Sequence, residues 1–150
     1  MLFLFVIVAV GALAIDLIFK AIFMSGAFSL IPGLLGVFPH FNYGAAFGIM
    51  SGAGLFLILL TGSIIVVGLV AFFYFRGREG VLFHVSVGLI IGGALGNLYD
   101  RIFLGHVRDF IKFEFINFPI FNMADVFLNV GMVMLVVWML FIYGRKNEGR

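Results

Sequence analysis

Four stretches of this chain are long and apolar enough to cross a lipid bilayer, and they constrain the fold more than any other feature. A hydrocarbon core takes about 20 mostly apolar residues in helical form. Inside it, only helices and closed barrels satisfy every backbone N–H and C=O. The stretches lie at about 2–24, 55–75, 81–98 and 124–143. The first carries Asp16 and Lys20 near its end, and the second is interrupted only by Thr61, Gly62, Ser63 and Gly68. The third contains His84 and several glycines. Composition agrees: 64% of the 150 residues are apolar and 11% charged, against about half and about a quarter in soluble domains. A single integral membrane domain over residues 1–150 is expected. The net charge of +2 is too small to argue for a nucleic-acid partner. The absence of cysteine removes disulfides, thiolate metal sites and a cysteine nucleophile.

Ala12-Leu13-Ala14 has the look of a signal-peptide cleavage site, but no Lys or Arg precedes the apolar stretch. A retained first helix is therefore expected. Positive charge then orients the bundle. Arg76 and Arg78 lie between the second and third spans, and Arg145, Lys146 and Arg150 follow the fourth, against only Glu79 and Glu148. The opposite side holds Lys20, Arg101, Arg108 and Lys112 against Asp16, Asp100, Asp109, Glu114 and Asp125. Both termini are predicted to be cytoplasmic, with segments 25–54 and 99–123 facing outward.

The outward segments have their own pattern. Ser29–Met50 is apolar and punctuated by Pro32, Pro39 and glycines, which reads as short strands and turns on the bilayer followed by a brief helix. Phe110–Phe118 sets Lys112 and Glu114 against Phe113 and Phe115, a period of two that predicts a short strand with one wet face. The same aromatics would also suit an interfacial belt. Together the pieces predict a small sheet resting on the outer leaflet. In the third span, Gly88, Gly92 and Gly96 recur every four residues, baring one helix face for close packing.

Polar groups gather at the outer ends of the spans. Asp16 and Lys20 are four apart, so they share a helix face and form a structural pair. Asn97 and Asp100 close the third span, and Asn122 and Asp125 repeat the N-x-x-D spacing at the start of the fourth. Asp109 lies between them, and Asn42 sits in NYGAAFG. Each has a plain structural reading. Asp125 would favour a helix N-terminus, Asp100 would pair with Arg101, and Asp109 would be a loop acid beside Arg108. Yet ionisable groups at membrane depth are expensive and point first to function. His40, His84 and His106 show no metal-ligand spacing, and nothing in the chain calls for a metal or a cofactor. There is no G-x-S-x-G and no phosphate-cradling loop. Ser25, Ser29 and Lys20 are all outward, but no motif supports a Ser/Lys dyad. Carboxylate chemistry remains. Two close aspartates share one proton, so one acts as base on water while the other acts as acid. The competing class is a proton or small-solute transporter subunit lined by the same acids. Against it, the second and fourth spans carry no mid-membrane charge to continue a path inward. A purely structural subunit leaves the paired N-x-x-D groups unexplained.

The residues carry a resemblance. GGALGNLYDRIFLGHVRDF (Gly92–Phe110) and FNMAD (Phe121–Asp125) closely resemble the signature blocks of bacterial lipoprotein signal peptidase, or signal peptidase II. DLIFK (Asp16–Lys20) and NYGAAFG (Asn42–Gly48) are similar to two further blocks, in the same order. The resemblance implies an aspartyl endopeptidase of the bacterial inner membrane, with its site on the outer side. It would remove the signal peptide of a lipid-modified prolipoprotein, cutting before the diacylglyceryl cysteine. The expected partners are that substrate and membrane lipids, with no nucleic acid, and the chain is expected to be a monomer. The resemblance implies a bundle of four transmembrane helices with a small extracytoplasmic β-cradle and a short surface helix. It assigns the catalytic dyad to Asp109 and Asp125, with Asn42, Asn97, Asp100, Arg101 and Asn122 binding substrate or supporting the site. One departure is visible. Leu17 and Phe19 stand where the family often has Gln and a small hydroxyl residue, which thins the polar support around Asp16.

Overall fold

A computed structural model of the protein describes residues 1–44, 52–75 and 80–143. Among these, four helices are long and apolar enough to cross a membrane. They are α1 (Leu2–Phe23), α2 (Gly54–Tyr74), α3 (Val81–Phe103) and α4 (Met123–Val137), the last running on as a π-helical segment, Trp138–Tyr143. Between them lie β1 (Phe28–Ile31), β2 (Leu35–Asn42) and β3 (Val107–Phe113). The brief helix expected before residue 50 falls outside the described residues.

The third span is the hub of the bundle. α3 packs against α1, α2 and α4, and it is the most buried of the four. Its glycines explain how. A Cβ at Gly92 would stand 2.5 Å from the Ala9 carbonyl oxygen and 2.7 Å from the Ala12 Cβ of α1. One at Gly88 would stand 2.9 Å from Val8. On the other side, Gly93 meets the Ala124 carbonyl and Gly131 of α4 meets Ile90 and the Ser86 carbonyl. In lipid no water-driven force pulls helices together, so close van der Waals approach between small residues supplies the attraction. Far from the sheet, Phe5, Phe72, Phe83, Val87, Ile91 and Trp138 form one core that ties all four helices. Phe5 and Phe72 stack there with centroids 4.2 Å apart.

α3 continues five residues past the predicted end at 98. Hydropathy alone ends the span near Asn97 and Asp100, but both are buried and hydrogen-bonded, so the helix carries them. The strand predicted over 110–118 is likewise shifted, to Val107–Phe113. The sheet is antiparallel in the order β1-β2-β3, with Leu35 opposite Phe113 and Asn42 opposite Val107. Because β2 begins at Leu35, pairing ends at Phe113. Glu114 then turns back, its amide donating to the Leu34 carbonyl and its carboxylate accepting from Gly33 N–H at 2.8 Å. That β1–β2 turn has Pro32 and Gly33 at its centre, with Gly33 at φ +72° and Leu34 N–H closing on the Ile31 carbonyl. This is the type II pattern, in which glycine takes the positive φ. Neither Lys112 nor Glu114 forms the fully wet face expected. Both are half-buried, and the Lys112 ammonium sits over the Phe38 ring.

Candidate active site

The sheet, the segment that follows it, the end of α3 and the start of α4 line a cavity of about 480 Å³. Asn42, Asn97, Arg101, Asp109 and Asp125 all line it, among Val107, Phe113, Phe118 and Phe121. Asn122 is buried between the two acids and touches both. Asp16, Lys20 and Asp100 lie behind this wall, fully buried.

Each acid is positioned by an element whose sequence explains its form. Asp125 stands at the third position of α4, and Asn122 is its N-cap. The Asn122 Oδ1 accepts from Asp125 N–H at 3.0 Å, while the Asp125 Oδ2 accepts from Asn122 N–H at 3.1 Å. This is a capping box. Asp125 therefore does what the plain structural reading required, and its Oδ1 is still free to accept from Asn97 Nδ2 at 2.9 Å. Asp109 lies in β3, where successive side chains point to opposite faces. It is buried in the cavity wall, while Arg108 turns the other way to Asp100. Asp109 Oδ1 accepts from Asn122 Nδ2 at 2.6 Å and Oδ2 from Asn42 Nδ2 at 2.9 Å.

All three amides have fixed orientations. Asn122 and Asn42 each accept a backbone N–H on their oxygens, from Asp125 and Gly44. The Asn97 Oδ1 accepts from the Lys20 ammonium at 3.1 Å and from Asn122 Nδ2 at 3.1 Å. A backbone amide or an ammonium only donates, so the NH₂ groups must face the two acids. The acids are thus joined through Asn122 and held by preset donors.

Burial, first, and then the negative charge of Asp125 push the Asp109 carboxyl up to about 7; the Asn42 and Asn122 amides and the Lys20 charge pull the other way. A carboxyl able to hold a proton near neutrality, beside a second acid in a shared cavity, is equipped for acid–base work on water. Arg101 also faces the cavity. It does not pair with Asp100 as the plain reading had it, because neighbours on a helix point in different directions. Among the described residues its hydrogen bond is a long one, 3.4 Å to the Thr61 hydroxyl of α2. Among the described residues, too, no three His, Cys, Asp or Glu side chains are disposed to share a metal ion.

Behind the cavity lies a charge-balanced cluster. The Lys20 ammonium donates to Asn97 Oδ1 at 3.1 Å and forms ion pairs with Asp16 Oδ2 at 2.7 Å and Asp100 Oδ2 at 3.2 Å. Asp16 Oδ1 accepts from Ala124 N–H in the first turn of α4 at 2.8 Å, satisfying a donor that a helix start leaves open. Asp100 is clamped by the Arg108 guanidinium at 2.8 Å and by the Arg108 N–H at 3.0 Å. The sequence points to Asp16–Lys20 but not to Arg108, Thr61 or Asn129, a cavity-lining residue of α4. For Arg108 the signal is available in strand alternation, which separates it from Asp109.

Known proteins resemble this chain in sequence and in fold. The family model described as Signal peptidase (SPase) II matches residues 8–141. A lipoprotein signal peptidase of Staphylococcus carnosus (strain TM300) is 39% identical, covering 89% of this chain and 88% of the relative. Another, of Staphylococcus aureus (strain JH9), is 35% identical over 95% of this chain and 91% of its own. Two bacterial membrane enzyme structures determined by the in meso method also match. The one at 2.3 Å resolution has a TM-score of 0.84 and 31% identity, over 95% of this chain and 90% of that one. The one at 1.9 Å resolution has a TM-score of 0.80 and 32% identity, over 92% and 93%. With sequence and fold agreeing over nearly the whole length, this chain belongs to the signal peptidase II family.

Proposed function

We propose that the cavity is the active site of an aspartyl peptidase that removes signal peptides from prolipoproteins, cutting before a diacylglyceryl-modified cysteine. The observation that carries this reading is the pair Asp109 and Asp125, lining one cavity and bridged by Asn122. A water held between them loses a proton to one carboxylate as it attacks the scissile carbonyl. The other carboxyl donates a hydrogen bond to the carbonyl oxygen, and the proton then passes to the leaving nitrogen. Asn42, Asn97 and Asn122 keep the acids in register, and the Arg101 guanidinium offsets the negative charge that builds up. The Asp16–Lys20–Asp100 cluster holds α1, α3 and α4 together beneath. The substrate's acyl chains rest on apolar helix surfaces, and one copy of the chain suffices. Family membership favours this reading over a transporter. The charge bias of the loops favours cytoplasmic termini and an outward-facing cavity.

The test is cleavage of a precursor peptide by purified protein in right-side-out and inverted vesicles. Cutting of the diacylglyceryl form alone, and only in right-side-out vesicles, is expected. Equal cutting of an unlipidated peptide removes the substrate assignment, and cutting only in inverted vesicles reverses the topology.

The pH dependence follows from Asp109. The active form of the pair holds one proton and titrates as a unit. With Asp109 near 7, kcat/KM is expected to fall as pH rises above about 7, because the shared proton is lost. A profile flat from pH 6 to 9 would show that no group of this kind governs the step.

A further inference from the structure

From Val126 to Val137, α4 is apolar apart from one residue, Asn129. It stands four positions after Asp125, so it lies one turn along on the same face. It lines the cavity with Val126 and Val130 and is exposed there. Its Nδ2 donates to the Asp125 carbonyl at 2.8 Å. A carbonyl only accepts, so the amide has a fixed orientation and its Oδ1 is the free end. No described residue donates to that oxygen. Polar groups within a span are costly and generally face a cavity where they meet a partner.

The cavity has two kinds of wall. Phe113, Phe118 and Phe121 belong to the sheet and the loop after it, whereas Val126, Asn129 and Val130 belong to a spanning helix. Asn129 is about 5–6 Å deeper along α4 than Asp125. A peptide bond presented to two carboxylates must be unwound from any helix, so the flanking N–H groups lose their helical acceptors. On the signal-peptide side those groups are still at membrane depth, where an unmade hydrogen bond is expensive. We propose that Asn129 is a substrate-positioning residue whose Oδ1 accepts a hydrogen bond from a backbone N–H of the signal peptide, on the N-terminal side of the cut. Val126 and Val130 flank this acceptor and leave the main chain, rather than a side chain, to meet it. The inference rests on the peptidase reading above and adds where the signal-peptide half lies.

The experiment uses full-length protein in detergent or vesicles and a diacylglyceryl precursor peptide. Each of the three N–H groups preceding the cut is replaced in turn by an ester oxygen. One ester is expected to lower kcat/KM of the unaltered protein by about tenfold, the loss of a single hydrogen bond. Asn129→Leu is expected to be slower by about the same factor and to be indifferent to that ester, with its pH profile unmoved. Asn129→Thr keeps both a donor to the Asp125 carbonyl and an accepting oxygen, and should regain sensitivity to the ester. Equal rates for all esters with the unaltered protein overturn the proposal, and this arm needs no variant to fold. So does an ester penalty that persists undiminished in Asn129→Leu. If the unaltered protein cuts no lipidated peptide at all, the peptidase reading fails instead.

Discussion

Asp109→Asn and Asp125→Asn are each expected to lower signal-peptide cleavage by about 10³-fold or more, while the protein still inserts and folds. A positioned acid or base contributes roughly 10²–10⁴-fold; each change breaks up the pair that shares the proton, and loss of Asp125 also removes a charge that helps to raise the Asp109 carboxyl. The folded state tolerates the changes better than the chemistry does. Asp109 is 1% exposed, and its carboxyl sits near 7 against an ordinary 3.8. Between those two values the folded chain binds a proton that the unfolded chain has released. Stability therefore falls as pH rises from about 3.8 to about 7 and is level above. Asparagine cannot ionise, so the Asp109→Asn variant escapes that loss. It meets a cost of another kind. Both Asp109 oxygens accept from amides of fixed orientation, and the new NH₂ group faces one of those donors. Such a conflict costs roughly 1–3 kcal/mol. The two effects oppose, so the melting temperature should move little at neutral pH while turnover disappears. Full processing of a lipidated precursor by either variant would take the dyad away from these residues. Loss of both activity and folding would leave the role to be read from the pH profile of the unaltered protein.

Much of this arrangement is written locally in the chain, and the rest is not. The spans are legible because an apolar run of membrane length has few other uses. The Gly88-Gly92-Gly96 stripe gives close packing wherever it falls on a helix, and here it falls against α1. Asp125 is legible as a helix-start acid because Asn122 stands three residues before it, the spacing of a capping box. Long-range partners are a different matter. Lys20 reaches Asn97, 77 positions away, and no periodicity connects the two. Asp100 takes Arg108 rather than its neighbour Arg101, because the helix turns adjacent side chains apart while the α3–β3 turn returns Arg108. The start of β3 at Val107 is set by Asn42 at the end of β2, a partner the alternation of Phe110–Phe118 does not contain. Asn129 gives a local signal, a lone amide in an apolar run. One polar residue does not interrupt a span, so the hydropathy pattern alone assigns it no role.

Lys20→Met is expected to be the most damaging change outside the cavity, and the damage should divide into two parts. The ammonium is fully buried and shared among Asp16, Asp100 and Asn97. Removing it leaves two buried carboxylates with only Arg108 for charge. Breaking a buried ion pair from one side costs about 3–5 kcal/mol, which in detergent should appear as a clear drop in melting temperature. The second part is local to the site. Without the ammonium, the Asn97 amide keeps only Asn122 to fix its orientation and holds Asp125 less firmly. The double variant Lys20→Met/Asp16→Asn separates the parts. It removes the excess negative charge, and the oxygen of the introduced amide still accepts from Ala124 N–H, so much of the melting temperature should return. Cleavage should not return with it, since Asn97 remains without its cation. A single variant as stable as the unaltered protein would mean that the ammonium is not the counter-ion of the cluster. A double variant that cleaves normally would mean that Asn97 needs no such hold, and the reach of Lys20 into the active site would then be only structural.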